Sequence, residues 1–367
     1  MQKIIFGPEI ADKKYVLAIH TGTLNYSYIS HLPAMATVYC ATVMYPDLAT
    51  YVRTALPNAR VINVKVLERG VVAQENEDDF LENAEIVIGN NLVAGNYLYK
   101  FKKLKWYHTH AAGIDIITDK INPERPLPPF TLTRRTAARN ISAQYVITYI
   151  LATERKVLHL AEIQTRKLWN WSTFDHSRPL ESLTIGILGV GSIGSEVARL
   201  CKAFGMKTLG MVRNIDSLQN RSSYVDVYRS KEDMPDLLMN SDYLCCCLPS
   251  TPETKGLLSG NILSFCKERG TVLISIGRGD LIDEETLVKA LTNKWLGGAV
   301  LDVVPKEPLS EDSPLWTLPN VVITPHISGW SKDPEVCKAV VDEFVVNYYN
   351  FLAGKPMKNV IDWRRGY

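Results

Sequence analysis

The chain has 367 residues with 41 basic and 39 acidic side chains, a formal net charge of +2, and 46% apolar against 22% charged residues. That length accommodates two domains with separate cores, and the near balance of charge gives no bulk electrostatic case for nucleic acid or a membrane surface. No apolar run reaches the length of a membrane span. The N-terminus lacks a basic start, a sustained apolar core and a small-residue cleavage site, so the expected location is the cytoplasm.

In chain order, strand character is read at residues 15–19, 61–66, 84–89 and 104–108, and helical character at 46–56 and 77–82. Residues 122–129 carry four prolines and form a loop. From 140 to 169 the pattern predicts one long helix. His108 and His110 share a strand face, but no third ligand accompanies them, so they are read as pocket or packing residues and no metal is expected.

Residues 184–188 form a short apolar run that enters Gly189-Val-Gly191-Ser-Ile-Gly194, and helix-compatible residues follow at once. A dinucleotide site needs this layout. Gly189 permits the turn off the strand, and Gly191 lets the backbone approach a pyrophosphate. Gly194 allows close helix–strand packing, and the helix N-terminus offers unpaired N–H groups to the phosphates.

Alternation then continues through strands at 207–212, 243–248, 271–276 and 298–302, which implies a parallel sheet covered on both faces. Cys245-Cys246-Cys247 lies within the second of these, as buried small hydrophobes with Cys246 facing away from its neighbours. Seven cysteines at irregular spacing fit a reducing compartment. Asp333 and Pro334 open a final helix with apolar residues at helical spacing, and Gly354 and Pro356 end it. No strand follows, so this helix is expected to return to the N-terminal domain. The expected fold class is α/β with two doubly wound domains. A Rossmann-type dinucleotide domain (134–332) is inserted into a flavodoxin-like substrate domain (1–133 plus 333–367).

Three titratable side chains fall at the carboxyl ends of strands, where ligands sit in such sheets. Arg278 follows 272–276, Glu307 lies just beyond 301–306, and His326 ends the segment 321–325. Each alone is more simply a capping Arg, a solvated Glu or a satisfied core His. Together, after a dinucleotide motif, they suit reduction of a 2-keto acid. That reaction needs a cation for the carboxylate, a proton donor for the keto oxygen and an acid that keeps the donor charged.

Ordered motifs along nearly the entire chain resemble the D-isomer-specific 2-hydroxyacid dehydrogenase family. They are Gly189-Val-Gly-Ser-Ile-Gly194, Leu248-Pro-Ser-Thr-Pro-Glu-Thr254, Ile274-Ser-Ile-Gly-Arg-Gly-Asp280, Leu301-Asp-Val-Val-Pro-Lys-Glu-Pro308 and Thr324-Pro-His326. Pro252-Glu-Thr254, Ser313-Pro-Leu-Trp316 and Arg365-Gly-Tyr367 look most like the glyoxylate/hydroxypyruvate reductase A branch. The resemblance implies that Arg278 holds the substrate carboxylate, His326 protonates the keto oxygen and Glu307 supports His326. It also implies substrate contacts from the amides of Ala112 and Gly113. Trp330, which departs from the family, is expected either to flank the substrate or to pack against the last helix. Cofactor contacts are implied for Gly189, Gly191, Ser192, Ile193, Gly194, Arg213, Asn214, Leu248, Pro249, Thr254, Ile276, Gly277 and Asp302. In the family, an arm like 140–169 packs against a second subunit, so a homodimer is expected.

NAD-specific sites place an acid about 20 residues beyond the glycines. Here Val212 occupies that place and Arg213-Asn214 follow, with Asp216 the only nearby acid. Arg213 attracts a 2′-phosphate that a carboxylate would repel. NADP(H) is therefore favoured, with NAD(H) as the alternative. The rival readings are a nucleotide-sensing scaffold of the corepressor type, which can keep the same Arg, Glu and His, and a dehydrogenase for another 2-hydroxy acid such as D-lactate. The missing ribose acid argues against the sensor. Gln144 stands where the family often has an acid, and Trp330 stands where smaller residues are common.

Overall fold

The computed structural model describes residues 36–137, 139–172, 177–215 and 222–367, preceded by two short paired strands, Ile19–His20 and Thr23–Leu24. Most of the strand expected at 15–19, and Asp216, lie outside the described residues. The chain divides into two compact units, Met1–Ala137 with Lys332–Tyr367, and Ala138–Ser331.

The first unit is built on a five-stranded sheet, in the spatial order Val61–Val64, Val38–Ala41, Ile86–Gly89, Trp106–Thr109, Thr131–Arg134. All neighbours are parallel. Numbered along the chain the order is 2-1-3-4-5, the flavodoxin-like arrangement. Three of these strands are buried at every residue, which explains their unbroken apolar character. Tyr39, Phe80, Tyr107 and Leu132 fill one face. On the other, the helix Leu48–Ala55 packs together with Val340, Phe344 and Tyr348 of the helix Pro334–Leu352. The Phe344 ring stacks on Trp106 with centroids 4.8 Å apart. Asp333 starts that helix by accepting the Glu335 N–H at 2.9 Å, with Pro334 in the first turn. Gly354, at φ +64°, follows its end.

The second unit carries a seven-stranded parallel sheet, ordered Val227–Arg229, Lys207–Met211, Thr184–Leu188, Tyr243–Cys246, Val272–Ser275, Gly298–Leu301, Val321–Ile323. This is 3-2-1-4-5-6 with a seventh strand added, the Rossmann order. Its switch point lies between Thr184–Leu188 and Tyr243–Cys246, so ligand chemistry belongs at the loops leaving those two strands. The cysteine run behaves as a strand should. Cys245 and Cys247 meet on one face with sulfurs 3.5 Å apart, while Cys246 joins the core of the other face. All seven cysteines are free.

The single helix expected over 140–169 is corrected. The chain forms a helix Arg139–Glu154, breaks at Lys156 in the left-handed region (φ +50°), and resumes as Val157–Thr165. The first helix ends on buried Glu154, which accepts from the Tyr243 hydroxyl at 2.7 Å and pairs with Arg178 at 2.5 Å. This tie holds the helix end to the sheet. Trp169 and Trp171 lie beyond the second helix, 91% and 80% exposed.

Candidate active site

The glycine turn is built as the motif requires. Strand Thr184–Leu188 is buried throughout and leaves through Gly189 at φ +97°, a conformation that side chains disfavour. The helix Ser192–Ala203 starts at Gly191 with no side-chain cap, so its first N–H groups remain available to an anion. A Cβ on Gly194 would lie 2.1 Å from the Gly189 carbonyl oxygen, whereas one on Gly191 would meet nothing within 4 Å. Gly194 therefore closes helix against strand, and Gly191 keeps open space over bare backbone. These features fit a pyrophosphate.

Across the switch point, the Thr254 hydroxyl donates to the Pro249 carbonyl at 2.6 Å and accepts from the Thr251 N–H at 2.8 Å. It shapes the loop that carries Leu248 and Pro249. A Cβ on Gly277 would come within 2.6 Å of the Leu248 carbonyl oxygen, which brings Ile276 and Gly277 beside the same loop. Arg213 and Asn214 follow strand Lys207–Met211. Arg213 forms an ion pair with Glu253 at 3.8 Å, both side chains being more than half exposed.

Arg278, Glu307 and His326 come together at the carboxyl edge of the same sheet. His326 Nδ1 is 2.8 Å from Glu307 Oε2. The Glu307 hydrogen bond, with its charge, raises the His326 pKa above the ordinary value; partial burial and the nearby Arg278 guanidinium work against it. The bond to Glu307 occupies Nδ1, and Nε2 is the nitrogen left for a substrate. Arg278 donates Nη1 to its neighbouring carbonyl, that of Gly277, at 2.7 Å. A Cβ on Gly279 would lie 1.9 Å from the Val304 carbonyl oxygen, so the Arg278 turn is pressed against the segment leading to Glu307. Glu307 is also held by the Val304 N–H at 3.3 Å.

The resemblance assigns Asp302 to the cofactor, but its hydrogen bonds reveal an additional task. Only 1% exposed, its carboxylate accepts from the Thr324 hydroxyl at 2.6 Å and from the Ile327 and Ser328 N–H groups, each at 2.8 Å. Its carbonyl accepts the His326 N–H at 3.0 Å. His326 sits at φ +56°, a strained backbone for a non-glycine residue, and these bonds on both sides hold it there. Tyr145 extends the network with its hydroxyl 2.6 Å from that of Thr324. The sequence assigns Tyr145 and Ser328 no role and offers Thr324 only as the first residue of Thr324-Pro-His326, because hydroxyl and backbone partners leave no pattern of their own.

Trp330 is about half exposed and Gln144 is exposed. Ala112 and Gly113 belong to the first unit, in the loop after Trp106–Thr109. Nearby His108 and His110 are buried and paired with threonines, His108 Nδ1 to Thr133 at 2.8 Å and His110 Nε2 to Thr42 at 2.7 Å. Burial pushes both pKa values down to about 3, so both rings are neutral packing groups. Among the described residues no cluster of three metal-ligating side chains occurs, and no helix is long and apolar enough to cross a membrane.

Fold and site together define a nicotinamide-type 2-hydroxyacid dehydrogenase. Residues 147–328 match the model of the D-isomer specific 2-hydroxyacid dehydrogenase NAD-binding domain. Glyoxylate/hydroxypyruvate reductase B of Serratia proteamaculans is 33% identical over 301 residues, covering 78% of this chain and 88% of that protein. The chain belongs to the D-isomer-specific 2-hydroxyacid dehydrogenase family. Glyoxylate/hydroxypyruvate reductase A of Salmonella newport is 28% identical over 271 residues, 72% of this chain and 83% of that protein. A crystal structure of a D-isomer specific 2-hydroxyacid dehydrogenase from Xanthobacter autotrophicus, in complex with NADPH and MES, is similar with a TM-score of 0.76 and 26% identity, covering 91% of this chain and all of that one.

Proposed function

We propose that this chain reduces small 2-keto acids of the glyoxylate and hydroxypyruvate kind to D-2-hydroxy acids, using NADPH in preference to NADH. The observation that carries this reading is the His326–Glu307 pair at 2.8 Å with Arg278 beside it. When bound, the nicotinamide supplies the hydride. The protein's own groups do the rest. Arg278 holds the substrate carboxylate and draws charge from the keto oxygen, and His326 donates its Nε2 proton to that oxygen. Glu307 keeps the imidazole charged before transfer and fixes the ring. Asp302 holds the strained backbone of His326 through Ile327, Ser328 and Thr324. For the first unit, the reading assigns a carboxylate to the amides of Ala112 and Gly113. Trp330 is proposed to flank the substrate.

The cofactor preference rests on Val212 and Arg213 at the end of strand Lys207–Met211. Gly189, Gly191, Ser192, Ile193 and Gly194 are assigned the pyrophosphate. Asn214, Leu248, Pro249, Thr254, Ile276 and Gly277 complete the proposed contacts. The chain is further proposed to work as a homodimer in the cytoplasm. Support for the dimer is a groove of about 560 Å³ lined by Leu160, Ile163, Leu168, Trp169 and Trp171, with Gln164, Lys167 and Asn170 between them, whose apolar part a monomer would leave wet. Initial rates of NADPH oxidation with glyoxylate and hydroxypyruvate test the proposed activity. Tight NADPH binding without turnover of any keto acid would favour the nucleotide sensor instead.

A further inference from the structure

The loop following Trp106–Thr109 is held by its carbonyls. The Arg135 N–H is shared between the Thr109 carbonyl at 3.0 Å and the Ala111 carbonyl at 3.3 Å, and the Ala112 carbonyl accepts Nη1 of Arg134 at 3.0 Å. The Gly113 carbonyl accepts Nδ2 of Asn91 at 3.4 Å. These donors come from two sides. Arg134 and Arg135 lie at the end of strand Thr131–Arg134, and Asn91 begins the helix Asn91–Asn96 after strand Ile86–Gly89.

A trans peptide points its C=O and its N–H in opposite directions. Fixing the Ala111 and Ala112 carbonyls therefore fixes where the Ala112 and Gly113 N–H groups point, which is away from the donors. Among the described residues neither N–H finds an acceptor in the chain. Two successive backbone donors, locked and unpaired, make an anion cradle. The guanidinium on the Ala112 carbonyl polarises the peptide it holds and strengthens the Gly113 N–H as a donor.

We propose that Arg134 is a positioning residue for substrate. It never touches the acid; it sets the peptide plane between Ala112 and Gly113 so that the Gly113 N–H receives the carboxylate beside the Ala112 N–H, whose plane the Arg135 N–H holds, and Asn91 fixes the far side of Gly113 through its carbonyl. The identity of the anion as a keto acid carboxylate rests on the function proposed above.

The test compares wild type with Arg134→Gln, Arg134→Lys and Asn91→Asp in steady-state glyoxylate reduction, inhibition by oxalate, NADPH affinity and oxalate-dependent melting temperature. Arg134→Gln should raise KM for glyoxylate and Ki for oxalate together, by about tenfold, the worth of one charge-assisted hydrogen bond. Saturating kcat and NADPH affinity should stay near wild type, and Arg134→Lys should recover most of the loss. Asn91→Asp keeps the size but faces a carboxylate to the Gly113 carbonyl, and should move KM and Ki the same way if Arg134→Gln fails to fold. Unchanged KM and Ki in folded variants, or a collapse of kcat at constant KM, would overturn the assignment. If wild type reduces no keto acid, the proposed function fails, and the melting data decide the clamp separately. Oxalate stabilising wild type but not Arg134→Gln would uphold it; equal stabilisation of both would overturn it.

Discussion

Glu307 Oε2 and His326 Nδ1 lie 2.8 Å apart, and that hydrogen bond is the largest cause of the raised imidazole pKa. A proton donor must be charged before transfer, so keto acid reduction should fall as pH rises through a midpoint above the ordinary imidazole value. Oxidation of the hydroxy acid should rise over the same range. In Glu307→Gln the negative charge is gone and at most a neutral hydrogen bond is left, while burial and Arg278 still oppose the charged ring, so the midpoint should move to lower pH. A kcat–pH profile for each protein checks this. The same pair adds stability fully below the unfolded imidazole pKa and loses it as pH rises through the folded one, an effect kept small by partial exposure.

The Asp302 carboxylate binds three donors around His326, and an amide cannot replace it at all three. Asp302→Asn should cost on the order of 1–3 kcal/mol of stability and lower kcat more than it changes KM, because the His326 backbone loosens. Thr324→Val removes the hydroxyl between Tyr145 and Asp302 and should cost about 1 kcal/mol. Chemical denaturation and initial rates, run on the same preparations, separate the two effects.

Two glycines of one motif should respond differently. A Cβ at Gly194 would overlap the Gly189 carbonyl at 2.1 Å, so Gly194→Ala should destabilise the second unit by roughly 1–3 kcal/mol. A Cβ at Gly191 meets nothing within 4 Å, so Gly191→Ala should fold like wild type. Its NADPH affinity should nevertheless fall, because the methyl group occupies the proposed pyrophosphate approach. Melting curves and NADPH titrations distinguish the pair.

Arg213 pairs with Glu253 at 3.8 Å on an exposed surface. The carboxylate competes with a 2′-phosphate for the same cation, so Glu253→Gln should raise the NADPH over NADH preference. Arg213→Asp should reverse it. The ratio of kcat/KM for the two cofactors reads both, and an unchanged ratio in Arg213→Asp would remove the basis for favouring NADPH.

Much of this architecture is legible in the residues, because parallel strands buried on both faces read as apolar runs between loops. The Rossmann half is clearest, since its glycines fall between a strand and a helix. Strands Val38–Ala41 and Thr131–Arg134 went unread. The first runs on into the largely apolar Val43-Met-Tyr45 without a turn residue to mark its end, and the second, Thr-Leu-Thr-Arg, has three polar residues in four, as an edge strand can. The break at Lys156 has no signal, since Arg155 and Lys156 are good helix formers; beside it Glu154 is tied to Arg178 and Tyr243, far along the chain. The Arg278, Glu307 and His326 positions are legible as charges ending apolar runs. The bond from Asp302 to amides some 25 residues later is not, because backbone N–H groups leave no mark in a sequence.

The exposed Trp169 and Trp171 beyond the helix Val157–Thr165 support the proposed dimer. Replacing both with Ser should leave each chain folded and shift the mass toward the monomer. Light scattering at micromolar concentration measures it, and a monomeric wild type would remove the proposal.

The most direct measurement is the initial rate of NADPH oxidation with glyoxylate and with hydroxypyruvate, for wild type and His326→Ala at equal folded concentration. Rapid turnover by wild type, with a loss of at least about a hundredfold in His326→Ala, is the predicted result. Wild-type-like reduction by the folded His326→Ala protein would contradict the account.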